Sequence, residues 1–468
     1  MRLLHSAART SAAFDDEDVV SLAGLVPVMR LAQEAGLPDL VADRVRLGTS
    51  IGCNPAGKIG AIVAGMVAGA DSIDDLDVLR HGGMGRLFGQ VYAPSTLGSF
   101  LREFTFGHVR QLDAAARSLL VSLAAACPRL LDNAAGWTYV DVDSLLRRTY
   151  GKAKQGAGFG HAKVGGYPVL LRGLSPLVAT VSTDTAAPVV AATRLRGGTA
   201  GSARGAASLV AQALGTAREM GAGTGPAPGG TVLLRGDSAF YTGAVVSAAR
   251  RAGARFSITV SMNAAVRRAI AGIDETAWVP IRYPNAVFDD EAGVWISQAE
   301  VAETSYTAFA GTRHEITRRL VTRRVRREPP PGQDELLPAY RYHAFFTDTA
   351  LSTIDADLTH RAHAVIEQVF ADLIDGPLAH LPSGRFAANG AWLTCAALAH
   401  NLLRAAAALT SRTHARARGS TLRRRFIHVA AVVVRHARGV RLRLPRHWRW
   451  AGWWMRLFHE THSPPLTA

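Results

Sequence analysis

Two aspartates interrupt a β-type apolar run in Tyr139-Val140-Asp141-Val142-Asp143-Ser144. Strand side chains alternate, so Asp141 and Asp143 share one face. Two like charges on one face are costly unless a cation offsets them, which makes a metal one explanation. The plainer one is that the strand ends near Val142 and Asp143 caps a turn. A second strand, Thr231–Leu234, runs on into Arg235-Gly236-Asp237-Ser238. Gly236 permits close approach of backbone or ligand, and Asp237 serves either an ion or a helix N-cap. A third carboxylate is Glu367, on a helix with His360, Arg361 and His363, where Ile366, Val369, Phe370 and Leu373 form an apolar stripe. Asp357 and Asp372 compete for that role. Three hard oxygen ligands suit Mg²⁺ or Mn²⁺. Two such ions support in-line phosphoryl displacement, one at the attacking oxygen and one at the leaving oxygen.

Charge points to the partner. Lys and Arg number 53 against 37 Asp and Glu, a formal net charge of +16. Such an excess favours nucleic acid, an anionic membrane or a polyphosphate, and weighs against a neutral small-molecule substrate. Lys152, Lys154, Lys163 and Arg235 stand close in sequence to the acidic strands, and Arg361 to Glu367; each is either a candidate for gripping phosphate or an ordinary surface charge. The segment Arg412–Arg449 is rich in arginine and carries no Asp or Glu; Arg423, Arg424 and Arg425 are its densest run. Cations along one side would track a DNA backbone with steep salt dependence. Trp448, Trp450, Trp453 and Trp454 either stack on unpaired bases or pack against the core.

Cys53, Cys127 and Cys395 are widely separated and form neither a disulfide framework nor a zinc-ligand set. No apolar run follows the basic start of the chain, so no secretory signal is expected. The apolar windows near Gly60–Ala70 and Ala391–Leu409 are too short, or too interrupted by His400 and Arg404, to span a bilayer. A reduced, cytoplasmic location is the expectation.

The elements that must position these groups follow from periodicity. Leu22–Ala35, Ala61–Ala70 and Val109–Ala126 repeat apolar residues at helical spacing. Asp71–Leu79, a Gly-rich turn and Pro94–Leu101 read as helix, turn and helix, with Ser95 or Thr96 as N-cap, either a DNA reader or ordinary helical packing. Strands are expected at Trp137–Val142, Tyr167–Leu171, Leu177–Ser182, Thr231–Leu234 and Phe256–Val260, with helices near Arg204–Met220 and Gly243–Ala252. Longer β segments follow at Trp278–Arg282, Val294–Glu303, His314–Arg324 and Tyr340–Phe346, with Glu328–Asp334 as a turn. Helices return at Asp355–Ile374 and Ala388–Leu409.

The run DVDS at Asp141–Ser144, with Tyr150–Ala157 and Gly165–Pro168 after it, resembles the first-aspartate region of bacterial insertion-sequence transposases of the DDE type, group 1. Leu234–Tyr241 (LRGDSAFY) resembles their second-aspartate region, Arg361–Gly376 their glutamate helix, and Ala387–Leu402 the helix that follows it. The resemblance extends from about Leu22 to the C-terminus. It implies an α/β chain with a ribonuclease-H-like mixed-sheet core, a β-rich insertion and a helical N-terminal domain. The corresponding division is 1–131, helical and DNA-binding; 132–272, first part of the core; 273–349, insertion; 350–410, second part with the glutamate helix; and 411–468, the basic Arg/Trp-rich tail. It further implies Asp143, Asp237 and Glu367 as the catalytic, metal-binding triad, with Asp141 beside it on the same face. Two Mg²⁺ or Mn²⁺ ions and double-stranded DNA, both transposon ends and target, would be bound, with a homodimer joining two ends. The resemblance narrows the cytoplasmic location to one associated with the bacterial nucleoid. On the glutamate helix, His360, His363 and Ile374 stand where many relatives carry Tyr, Arg and Lys, and Arg361 is displaced from the usual spacing. The function so implied is recognition of terminal inverted repeats followed by strand cleavage and transfer. A nuclease on the same core, or an inactive DNA-binding regulator, are the rivals.

Overall fold

The N-terminal third is helical because its apolar residues recur every three or four positions and its helices begin at favourable residues. In the computed structural model, which describes residues 1, 4–164, 167–201, 203–224, 231–281, 288–289, 294–295, 299–326, 340–437 and 439–463, these helices are α1 (Leu25–Glu34), α2 (Leu37–Arg44), α3 (Pro55–Ala68), α4 (Pro94–Arg102) and α5 (Phe106–Ala126). Asp74–Arg80 forms a 3-10 helix where the sequence predicted the first helix of a pair. The cap of α4 is Ala93 rather than Ser95 or Thr96, because Pro94 takes the first helical position, where its missing N–H costs nothing. Thr105 caps α5 in a box with His108.

Beyond residue 131 the pattern changes to strands. β1 (Thr138–Ser144) pairs antiparallel with β3 (Tyr167–Thr183), which pairs along its first half with β2 (Gly158–Val164) and along its second with β4 (Val189–Gly197). The two short strands expected at 167–171 and 177–182 are one continuous strand. Helix α6 (Ala206–Glu219) leads to β5 (Val232–Gly236), parallel to β1, and α7 (Gly243–Arg251) leads to β6 (Arg255–Thr259), parallel to β5. β7 (Val279–Ile281), β8 (Ala299–Ala308), β9 (Ile316–Arg326) and β10 (Tyr340–Thr347) form an antiparallel run whose last member pairs with β6. The segment expected as a β-rich insertion therefore extends the central sheet. The order is β4-β3-β1-β5-β6-β10-β9-β8-β7. Phe256, Phe346, Tyr306 and Tyr241 pack ring to ring across this join, which makes the sheet continuous in its core as well as in its hydrogen bonds. The expected turn at 328–334 lies outside the described residues.

The helix predicted over 355–374 is broken. α8 (Thr353–Arg361) and α9 (Ile366–Ile374) are separated by a 3-10 turn at Ala362–Val365, which ends two residues before Glu367. The 25-residue α10 (Phe386–Thr410) is buried along nearly all its length. α1, α3, α4, α5 and β4 all pack on it. Residues on both sides of position 131 consequently share one hydrophobic core.

The basic tail folds back onto the N-terminal helices. β11 (Ala431–His436) pairs with Val19–Val20 and with β12 (Gly439–Arg443), and α11 (Ala451–His462) packs on α1 and α10. The approach is close: a Cβ on Gly24 would lie 1.7 Å from the Phe426 carbonyl oxygen, so only glycine fits there. Trp454 is buried and donates its indole N–H to the Phe426 carbonyl, and Trp448 donates to that of Arg425. These two tryptophans are packing residues.

Candidate active site

The chain reverses at the carboxyl ends of parallel strands β1 and β5, the place where open α/β sheets bind ligands. Asp143 sits there as the penultimate residue of β1, and Asp237 is the first residue after β5. The Ser144 backbone N–H donates to Asp143 Oδ1 at 2.6 Å. Asp237 caps the 3-10 turn Ser238–Phe240, with Oδ1 accepting from the Ala239 N–H at 2.9 Å. Each carboxylate is thus oriented by its own backbone. Gly236 is small because a Cβ there would crowd Val142 Cγ1 at 3.2 Å, a packing reason internal to the two strands.

Glu367 opens α9, whose stripe Ile366, Val369, Phe370 and Leu373 is buried as expected, and the helix packs on β1. Its carboxylate is exposed and near enough to act on Asp143. Burial is the main cause that pushes the Asp143 carboxyl up to about 7; the negative charges of Asp237 and Glu367 add to it, while the Ser144 N–H and the Arg196 charge oppose. Asp143 therefore brings the three acidic blocks into one electrostatic neighbourhood. Among the described residues, no three His, Cys, Asp or Glu side chains stand together as a ready metal-ligand group. The chemistry of the donors does suit a hard divalent cation: all are carboxylate oxygens, and a cation would relieve the cost of ionising Asp143.

The competing acids are placed differently. Asp357 is buried and paired with Arg361 at 2.8 Å and Arg323 at 3.4 Å. Asp372 is buried, paired with Arg404 at 2.5 Å and with Arg418, and accepts the Gly419 N–H. Asp141 gives both oxygens to Arg235, Oδ1 to Nε at 2.7 Å and Oδ2 to Nη2 at 2.8 Å, deep between β1 and β5. Asp141 is thus part of a buried ion pair, and the face it shares with Asp143 holds an arginine beside it.

The cations singled out in the sequence separate in the same way. Arg235 is buried on Asp141, and Arg361 is bound to Asp357. Lys154 donates to the carbonyls of Leu381, Pro382 and Ser383, which anchors the loop before α10. Arg423 is buried against α3, donating to the Met66 and Val67 carbonyls at its C-terminal end, a favourable place for a cation. Lys152 and Arg424 are exposed, and Arg425 lies half-buried over the Trp450 ring at 5.3 Å. Lys163 belongs to β2; its side chain lies outside the described residues.

One group escaped the sequence reading, and another, His360, was singled out only for its place on the glutamate helix. Arg196, on β4, is buried, with Nε and Nη2 on the carbonyl and hydroxyl of Ser175 and Nη1 on the carbonyls of Gly201 and Arg204. Burial lowers it to about 10, and the Asp143 charge works in the opposite direction. His360 is buried with Nδ1 on Ser257 Oγ and Nε2 on Thr259 Oγ1, docking α8 onto β6. Burial holds it well below its ordinary value, so it is neutral. A signal for Arg196 existed in the alternation Thr193-Arg194-Leu195-Arg196 at a strand end.

The frame is a large mixed sheet flanked by helices, with Asp143 and Asp237 at the ends of two neighbouring parallel strands and Glu367 on a helix packed against β1. The chain matches the family "Transposase DDE domain group 1" over residues 4–462, nearly its whole length, and belongs to that family. No curated protein matches it. The protein is a DDE-type transposase; its family implies a nucleotidyl-transfer enzyme acting on DNA. No described helix is long and apolar enough to cross a membrane.

Proposed function

We propose that this transposase binds the terminal inverted repeats of an insertion sequence and carries out metal-dependent cleavage and transfer of DNA strands at Asp143, Asp237 and Glu367. The observation that carries the reading is the placement of Asp143 and Asp237 at the carboxyl ends of neighbouring parallel strands, with the Glu367 helix packed on β1; burial and the charges of the other two acids raise the Asp143 carboxyl there. The strand order supports it: three antiparallel strands, β4-β3-β1, then β5 and β6 parallel to β1, is the order of a ribonuclease-H-like core.

In this reading the three carboxylates would hold two Mg²⁺ or Mn²⁺ ions, which supply Lewis-acid activation of the nucleophile and charge stabilisation at the leaving oxygen. The nucleophiles are water and then the freed 3′-hydroxyl. Each attacks phosphorus as the P–O3′ bond of the strand under attack breaks and that 3′-oxygen leaves with a proton. The chain's own part is preorganisation: backbone N–H groups fix Asp143 and Asp237, and the packed stripe of α9 fixes Glu367. Exposed Lys152 and Arg424 would meet phosphates, and the N-terminal helices 1–131 would read the repeats. Two copies would bring two ends together.

A labelled fragment carrying the end of the flanking element, incubated with protein and Mg²⁺, should give end nicking and then joined strand-transfer products. Nicking without any joined product would make the protein a nuclease. Binding without nicking, in Mn²⁺ and with paired ends supplied, would make it a DNA-binding regulator.

A further inference from the structure

One buried guanidinium, carried by β5, bonds to β1 and to α8, the helix that leads through a 3-10 turn into α9 and Glu367. Asp141 and Arg235 are paired positions of the parallel strands β1 and β5. Asp141 precedes Asp143 by two residues on β1, and Arg235 precedes by two residues Asp237, which directly follows β5. Besides its two bonds to Asp141, Arg235 donates from Nη1 to the Thr359 carbonyl of α8 at 2.8 Å. Its guanidinium lies 4.1 Å from the centre of the Tyr139 ring, which closes it in from the side. α8 continues through the 3-10 turn at Ala362–Val365 to Glu367. The neighbouring residue, His360, ties the same helix turn to Ser257 and Thr259.

Stability alone does not account for this arrangement. A buried ion pair is seldom more stabilising than a hydrophobic pair of the same volume. A planar fork, however, can bind a carboxylate bidentately and a helix carbonyl at once, which fixes relative positions that apolar packing leaves looser. We propose that Arg235, together with Asp141, is a positioning residue. It sets β1, β5 and α8 relative to one another so that Asp143, Asp237 and Glu367 converge on the cation and the scissile phosphate. This rests on the reading of those three acids as the reacting centre.

The test uses the full chain and two variants that keep the net charge, Arg235→Lys and the double variant Asp141→Leu/Arg235→Met. Because the net charge is unchanged, a change in cation affinity is not a net-charge effect, and Arg235→Lys, which keeps both charges, isolates the geometry. Mn²⁺ is titrated in, with the free ion followed by electron paramagnetic resonance. Mg²⁺-dependent nicking of a supercoiled plasmid carrying the gene and its native flanking DNA is measured alongside plasmid affinity and thermal melting. Positioning predicts that the double variant melts near the wild type and binds plasmid equally, yet binds Mn²⁺ about tenfold more weakly and nicks about 100-fold more slowly. Arg235→Lys should show the same split between rate and plasmid affinity. A folded double variant with wild-type Mn²⁺ affinity and nicking rate would overturn the proposal. Should the double variant fail to fold, a folded Arg235→Lys with wild-type values would overturn it equally. Asp237→Asn separates the two failures. If it loses Mn²⁺ binding and nicking while the Arg235 variants lose nothing, positioning falls and the centre stands. If it retains both, the centre falls and positioning falls with it.

Discussion

Asp141 and Asp143 stand two residues apart on one strand, and their surroundings are opposite. Asp141, in the middle of β1, is 1% exposed and answered by a bidentate arginine. Asp143, at the strand's carboxyl end, has no such partner built for it among the described residues: burial first, and then the charges of Asp237 and Glu367, push it up to about 7. The same division recurs on the helices, where Asp357 and Asp372 are buried in arginine pairs while Glu367 faces outward. In the interior of a sheet a carboxylate must be neutralised from within. At a strand end, beside solvent, the neutralising charge can come with a ligand.

The largest way to break this contrast is at the strand ends. Asp237→Asn or Glu367→Gln should lower end cleavage by on the order of 10³-fold or more while DNA affinity, read by gel shift, stays near the wild type. Comparable losses of binding and cleavage together would mean these acids serve the fold. Next comes the interior acid: Asp141→Asn strands a buried guanidinium and should cost about 3–5 kcal/mol in denaturant unfolding. A cost within experimental error would show that the pair is not buried as described.

The third contrast is in pH. The folded value of Asp143 lies above its ordinary 3.8, so its protonated form favours the fold. Its stabilising contribution is fully present below about 3.8 and is lost as pH rises through about 7. Without divalent ions, the wild type should therefore lose stability relative to Asp143→Asn between those limits. The melting temperatures should differ by about 2 °C at pH 8, a gap that Mg²⁺ narrows. Equal slopes for the two proteins would contradict a strained Asp143. The smallest effect separates two neighbouring arginines. Exposed Arg424→Ala should weaken DNA binding uniformly and reduce the salt slope by about one, whereas Arg423→Ala, which removes a buried contact to α3, should lower the melting temperature and leave the salt slope alone.

The sequence made the acidic strands legible because period-two alternation and an aspartate at the strand end are local properties. The glutamate helix was legible through its apolar stripe. What escaped was pairing at a distance. Arg235 is 94 residues from Asp141, and nothing in either segment states that the two strands lie side by side in that register. For the same reason a count of positive charges assigned Arg235, Arg361 and Arg423 to phosphate, although each is bound within the protein. The β-rich segment was visible as strands, but whether those strands stack separately or extend an existing edge depends on β6 offering an open side. The tail's tryptophans allow two readings in sequence because the partners that decide for Trp448 and Trp454, the carbonyls of Arg425 and Phe426, lie more than 20 residues away.

The most direct test of the account is nicking of the element's end in Mg²⁺ by the wild type, Asp143→Asn, Asp237→Asn and Glu367→Gln, with binding to the same fragment measured in parallel. The account predicts nicking by the wild type only, with all four proteins bound. Nicking at the wild-type rate by any one of the three variants would contradict the assignment of that carboxylate to the reacting centre.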